Sequence, residues 1–311
     1  MWNEFQSYFI ATDMVNLEKA VVQTIHLGSA STPICIDILR LDAIHPVVSG
    51  NKWFKLRYYL QTAKEKGYTQ LLSFGGAHSN HIVATACAAK ENGLAGIGII
   101  RGEEPVNYSA ALTDARNMGM QLQFISRKAY SDKEAPAFIT ALQNQYPHAL
   151  IIPEGGAGPM GIAGAATILK TIDTRPYSHI VCAIGTGTML AGLATALLPH
   201  QQLIGIPALK GFDDWLSAQT IIAPALLPQI QVYPNYHFGG YAKKNTTLIY
   251  FMNQLYQQTG LPTDFVYTAK LLYAVTDLLQ HKILLPTHRL LVVHSGGLQG
   301  NRSLPHGLLA Y

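Results

Sequence analysis

The chain has 311 residues, 49% of them hydrophobic and only 13% charged, with a formal net charge of +4. That balance excludes a disordered chain, and the lack of any lysine or arginine block excludes a nucleic-acid-binding stripe. The length allows two domains of ordinary size.

The first residues, Met1-Trp2-Asn3-Glu4-Phe5, lack the basic start and apolar run of a secretory signal. Residues 1–33 read as an irregular arm. Ile34–Leu39 alternates and predicts a strand, followed by a loop through Pro46 and Gly50. From Lys52, apolar residues recur at Trp53, Leu56, Tyr59, Leu60 and Ala63, which predicts a helix stopped by Gly67, with Lys55, Arg57, Lys64 and Glu65 off its apolar face. Strand–helix alternation follows. Strands are expected at 71–74, 95–100, 121–125 and 149–152, and helices at 79–92, 109–118 and from Ser131-Asp132 to Tyr146. A glycine-dense link, Gly155 to Pro159, leads to a helix ending near Ile172. Strand 179–184 runs into a helix reaching Leu198, and strand 202–206 follows. Residues 208–245 are less regular. Helices at 246–259 and 268–280 and a strand at 290–293 complete the pattern. Such β-α alternation predicts parallel sheets covered by helices on both faces. No apolar window of about 18 residues runs uninterrupted, so no membrane span is expected. Cys35, Cys87 and Cys182 are odd in number and lie in apolar surroundings, as buried reduced thiols of a cytoplasmic protein would.

Four stretches carry chemistry. Ser49-Gly50-Asn51-Lys52 presents one lysine from a turn at a helix start; by position alone it is an ordinary first-turn lysine. Gly185-Thr186-Gly187-Thr188-Met189 joins a strand to a helix. Its backbone N–H groups, helix dipole and hydroxyls make a phosphate cradle, or else a plain tight turn. It has neither the Gly-Lys-Ser/Thr of a Walker loop nor the third glycine of a dinucleotide fingerprint. Ser79-Asn80-His81 follows Gly75-Gly76 at another strand end and either caps a helix or binds a carboxylate. His78 and His81 have no carboxylate or cysteine nearby, so no metal is expected. Ser295 stands at the end of a third strand, before Gly296-Gly297. Tyr241 and Tyr267, in loop-like surroundings, are pocket-rim proton donors or packing residues. A phosphate cradle, a carboxylate cradle and a lone positioned lysine fit pyridoxal 5'-phosphate, which has a phosphate arm, joins lysine through its aldehyde and acts on amino acids.

With Gly50-Asn51-Lys52, Ser79-Asn80-His81, Gly185-Thr186-Gly187-Thr188 and Val266-Tyr267-Thr268-Ala269-Lys270 in that order, the chain resembles the fold-type II pyridoxal-phosphate enzymes from Ile34 to Gly297. Within them it is most similar to the D-cysteine desulfhydrase and 1-aminocyclopropane-1-carboxylate deaminase group. The resemblance implies a tryptophan synthase β-like α/β fold: two doubly wound three-layer α/β/α domains with the active site between them. A small domain at 54–158 would be inserted into a large cofactor-binding domain formed by 1–53 and 159–311, and the protein would be a homodimer. It implies Lys52 as the Schiff-base lysine, with Asn51 beside it. Ser79, Asn80 and His81 become the substrate-carboxylate turn, and Gly185 to Met189 the phosphate site. Tyr241 and Tyr267 become the active-site tyrosines, and Ser295 the hydroxyl facing the pyridine nitrogen.

The deaminase branch has a glutamate after the tyrosine; here that residue is Thr268. A neutral ring partner suits β-elimination better than cyclopropane opening. The expected reaction is therefore elimination from a small amino acid, D-cysteine first, to pyruvate, ammonia and hydrogen sulfide. Alternatives are 1-aminocyclopropane-1-carboxylate deamination, elimination from D-serine or β-chloro-D-alanine, and a cofactor-binding regulator without chemistry. Leu298-Gln299-Gly300-Asn301 departs from the small, apolar, proline-containing stretch usual in the family.

Overall fold

The computed structural model describes residues 14–27, 34–212 and 214–311. Its regular elements are β1 (Val22–Leu27), β2 (Ile34–Arg40), α1 (Asn51–Glu65), β3 (Gln70–Gly75), α2 (Asn80–Glu91), β4 (Ala95–Arg101), α3 (Ala110–Asn117), β5 (Gln121–Ile125), α4 (Arg127–Ser131), α5 (Pro136–Gln145), β6 (Ala149–Ile152), α6 (Pro159–Ala166), β7 (His179–Ile184), α7 (Thr188–Thr195), β8 (Gln202–Pro207), α8 (Trp215–Ala218), β9 (Ile230–Val232), α9 (Thr246–Thr259), α10 (Thr268–Gln280) and β10 (Leu290–His294).

The strands form two sheets. One has six strands in the order β1-β2-β10-β7-β8-β9, and the other has four in the order β5-β4-β3-β6. All neighbours are parallel except β1 and β2. Parallel strands need covering on both faces, and the sequence supplies apolar residues for both. In β10, Leu291 and Val293 join the core that also holds Trp53, Phe54 and Leu190, while Leu290 and Val292 pack with Leu271, Leu278 and Leu255 of α10 and α9. The small sheet repeats the device, with Leu72, Phe74 and Ile97 on one side and Ile100, Ile82 and Leu112 on the other. Leu71 and Ile152 of the small sheet share the first core with α1 and the large sheet. The chain is therefore welded across the two sheets by α1, the helix whose first turn carries Lys52.

Four expectations need correction. Residues 14–27 do not form an irregular arm: Val22–Leu27 is an antiparallel edge strand, its Ile25 and Leu27 facing the core. Residues 1–13 and 28–33 of that arm lie outside the described residues. The helix expected from Ser131-Asp132 to Tyr146 starts later, as α5 at Pro136, and Ser131 instead ends a separate short helix, α4. Ser126 caps α4, accepting from Ala129 N at 3.2 Å, and Pro136, whose nitrogen cannot donate, begins α5 afresh. Lys55 is buried, not off the packed face of α1, and Cys35 is exposed. Among the described residues no helix is long and apolar enough to cross a membrane.

Candidate active site

Parallel strands deliver their C-terminal ends to one edge, where glycine turns leave room for a ligand. Here the turns after β3, β7 and β10 line one cavity of about 680 Å³, together with the start of α1.

Gly50 sets the position of Lys52. It stands at φ +66°, and a Cβ there would lie 1.9 Å from the Ser295 carbonyl oxygen. Only glycine lets the two turns touch, and Asn51 N donates to that same carbonyl at 3.2 Å. Lys52 is 9% exposed, and its Nζ lies 5.8 Å from the Tyr267 ring centre. Burial lowers its pKa, opposed by the Asp264 carboxylate. The Asn51 Oδ1 is buried without a partner and lines the same cavity.

The β7 turn opens α7 at Gly187, whose φ of +83° and contact with the Trp215 ring leave no space for a Cβ. Gly185, Thr186, Gly187 and Met189 line the cavity. Thr188 does not; its hydroxyl is buried and shares a 2.9 Å hydrogen bond with that of Thr186.

At the end of β3, Ser79 caps α2 with its hydroxyl, which accepts from Ile82 N at 3.3 Å. Ser79 and Asn80 both line the cavity. His81 lines it too, but its Nε2 is engaged by Ser73. Ser73 Oγ donates its one proton to Ile152 O at 2.9 Å, so at 2.8 Å it accepts from His81 Nε2. Burial, then Lys55 and Lys52, push the His81 pKa down to about 3. A neutral His81 cannot anchor a carboxylate by charge. Below its ordinary value near 6.5 the unfolded chain binds a proton the native state refuses, so stability falls as pH drops from about 6.5 towards 3, by ~1.4 kcal/mol per unit. We expect ring-nitrogen NMR shifts of His81 to stay constant from pH 8 to pH 5 (~1.5 units below the ordinary histidine value); a midpoint near 6.5 would contradict the Ser73 bond.

Tyr241 and Tyr267 meet edge to face, centres 6.2 Å apart. The Tyr267 ring also packs over Gly185. Burial first, then the neighbouring Tyr241 and Asp264, hold the Tyr267 phenol well above its ordinary pKa, so it is a proton donor. Ser295 is buried and lines the cavity. Thr268 does not reach it. Its hydroxyl donates to Asp264 Oδ1 at 2.7 Å and accepts from Asp264 N at 2.7 Å.

Three residues escaped the sequence reading. Lys55 follows Lys52 by three, one helical turn, which is a signal that they share a face. Its Nζ donates to Gly155 O at 3.0 Å, beside Thr186, and burial together with the charge of Lys52 lowers its pKa to about 7. Asp264 stands four residues before Thr268, upstream of the N-cap position Tyr267, so no capping signal marks it. Its carboxylate accepts from Val266 N, Tyr267 N and Thr268 N at 3.0, 2.9 and 2.9 Å. Lys270, also one turn beyond Tyr267, is buried and donates to Ala208 O and Gly240 O at 3.2 and 2.8 Å, fixing the backbone that carries Tyr241.

Outside the cavity, His45, Cys87 and Glu91 cluster within 4.8 Å. His45 Nδ1 accepts from Val47 N and Val48 N, which leaves the proton on Nε2, facing Glu91 at 3.4 Å. A protonated nitrogen is a donor to the carboxylate, not a metal ligand.

The profile of the family described as "Pyridoxal-phosphate dependent enzyme" matches residues 38–296. A relative from Pyrococcus horikoshii named "Putative 1-aminocyclopropane-1-carboxylate deaminase" is 30% identical over 269 residues, 81% of each chain. A protein of Yersinia pestis named "D-cysteine desulfhydrase" is 26% identical over 285 residues, covering 83% of this chain and 86% of its own. A solved structure described as an ACC deaminase homologue superposes with a TM-score of 0.74 at 29% identity, covering 86% of both chains.

Proposed function

Because the chain belongs to the pyridoxal-phosphate dependent enzyme family, we propose that it eliminates the sulfur of D-cysteine, releasing pyruvate, ammonia and hydrogen sulfide. It is a pyridoxal-phosphate-dependent lyase of fold type II, tryptophan synthase β-like, within the deaminase and desulfhydrase group. Its substrate is a small amino acid.

The residues present fit the cofactor. A buried amine with a lowered pKa, an orphaned Asn51 oxygen and the turn at the head of α7 surround one space. Lys52 would hold it covalently and Asn51 by a hydrogen bond. The turn Gly185 to Met189, with Lys55 behind Gly155, would hold the phosphate. Ser295 would face the ring nitrogen. When bound, the cofactor supplies the electron sink that makes the substrate's Cα–H acidic. Lys52, freed by the substrate and with its pKa lowered by burial, takes that proton. Ser79 and Asn80 hold the substrate carboxylate at the head of α2. Tyr267, fully protonated and steadied by Tyr241, gives a proton to the departing sulfur. Residues 54–158 act as a small unit closing over a large one built from 1–53 and 159–311. We take the enzyme to be a cytoplasmic homodimer.

What supports elimination over ring opening is the lining around Ser295. Glu154 is the one acidic residue of the cavity wall among the described residues, and it sits against Lys133 at 3.4 Å. A hydroxyl partner leaves the ring a modest sink, adequate for a substrate with its own leaving group. The second reading, 1-aminocyclopropane-1-carboxylate deamination, is favoured by the name of the Pyrococcus relative. A panel of D- and L-cysteine, D-serine, β-chloro-D-alanine and 1-aminocyclopropane-1-carboxylate, scored for keto acid and sulfide, separates them. We expect D-cysteine to lead by at least ~10-fold in kcat/KM, about 1.4 kcal/mol of barrier. Faster ring opening would overturn the argument from Ser295.

A further inference from the structure

The stretch that departs from the family, Leu298-Gln299-Gly300-Asn301, opens a short 3₁₀ turn over Leu298–Ser303, three residues after Ser295. This turn rests against two residues of the site's wall and frame. A Cβ on Gly297, at φ +97°, would lie 3.3 Å from Asn80 Nδ2 and 3.5 Å from the Asp264 carboxyl carbon. Asn301 then grips the chain on both sides of Asp264. Its Nδ2 donates to Thr263 O at 2.9 Å, and its Oδ1 accepts from Phe265 N at 3.2 Å. A backbone N–H only donates and a carbonyl only accepts, so the amide can sit only this way round. Tyr311 adds a second grip. Its hydroxyl donates to Thr263 O at 2.6 Å and accepts from Thr263 N at 3.1 Å. Thr263 and Asp264 are fully buried, so these bonds satisfy backbone groups that water does not reach. The small, apolar residues usual at this stretch would make neither of the Asn301 bonds.

Asp264 passes the hold on to Tyr267. Its carboxylate accepts from Tyr267 N at 2.9 Å, between Val266 N at 3.0 Å and Thr268 N at 2.9 Å. Resting on the elimination reading above, we propose that Asn301 and Tyr311 are positioning residues for Tyr267, aiming its phenol at the departing atom and so setting the rate for leaving groups that need a proton. The chemistry separates the substrates. The Cα proton passes to Lys52, its electron pair forms the Cα–Cβ double bond, and the bond from Cβ to the leaving atom breaks with its pair on that atom. A departing thiolate or hydroxide takes the Tyr267 proton, which water restores. Chloride departs as the anion and takes none. A phenol that has lost its aim therefore slows D-serine and D-cysteine and spares β-chloro-D-alanine.

The test compares wild-type holoenzyme with Asn301→Ala, Tyr311→Phe and the double variant on these three substrates. Each single change leaves Thr263 O one donor, so the double variant carries the full effect. A positioned acid contributes about 10²–10⁴-fold; we expect kcat of the double variant to fall at least ~10-fold on D-serine and D-cysteine with KM within ~3-fold, and kcat on β-chloro-D-alanine to stay within ~3-fold of wild type. Turnover of β-chloro-D-alanine also shows that the variant is folded and carries its cofactor. A separate readout is amide hydrogen exchange of Val266, Tyr267 and Thr268 in the apoprotein, expected to quicken at least ~10-fold in the double variant as local opening around Asp264 becomes easier. An equal loss on all three substrates means a structural role alone and overturns the proposal, as does unchanged exchange. If the wild type cleaves none of the three while the exchange difference persists, the elimination reading falls and the hold on Tyr267 stands.

Discussion

Lys52→Ala protein is expected to purify without the visible absorption of the lysine-bound cofactor and to release no measurable pyruvate. Two roles are lost together, the covalent tether and the proton acceptor. A positioned base alone contributes about 10²–10⁴-fold, so the combined loss should exceed ~10³-fold. Lys52→Arg should fare no better, since a guanidinium stays charged and cannot accept the proton. The comparison with Lys55→Ala makes the experiment decisive. Lys55 is a second buried amine one turn away, with a pKa near 7. A Lys52→Ala protein that stays yellow, and a Lys55→Ala protein that does not, would transfer the tether to Lys55.

The second large effect is on stability. Asp264→Ala deletes the acceptor of three backbone N–H groups and of the Thr268 hydroxyl, all at 2.7–3.0 Å and at a fully buried site. An unsatisfied buried donor costs about 1–3 kcal/mol, and such losses within one network do not simply add. We expect about 3–5 kcal/mol, read as a fall of roughly 10 °C in the apoprotein's calorimetric midpoint. Asp264→Asn should cost less, because one oxygen can still accept. Lys270 sits close enough for the Asp264 charge to raise its pKa against burial, so removing that charge also loosens the Gly240–Tyr241 backbone. A midpoint for Asp264→Ala within about 2 °C of wild type, less than 1 kcal/mol, would mean that water has replaced the carboxylate.

Where an element needed only period and punctuation, the sequence was a sufficient guide. The strands at 121–125, 149–152 and 179–184 and the helices at 246–259 and 268–280 stand where apolar period and flanking glycines place them. Lys52 was legible because a glycine turn presents it at a helix start, and the β7 turn and Ser295 because each stands at the end of a strand. What stayed hidden depends on partners distant in sequence. Val22–Leu27 becomes a strand because β2 pairs with it, and its own alternation is short. Lys55 reads as a solvent-facing charge until α6 and Gly155 close over it. His81 belongs by motif to the carboxylate turn, yet Ser73 engages one of its ring nitrogens. Thr268 reads only as the residue standing where the deaminase branch has a glutamate, and the fold turns its hydroxyl to Asp264.

The seat of Gly50 on the Ser295 carbonyl has a consequence for biosynthesis. β10 lies in the middle of the large sheet, between β2 and β7, although it is the last strand made. Until the ribosome has supplied it, β2 lacks its central neighbour and the turn before Lys52 has no carbonyl to rest on. Lys52 is among the first residues synthesised and among the last to be placed. A nascent chain ending before residue 290 would carry Lys52 without a formed site, so cofactor capture is a late event and reports on completed assembly.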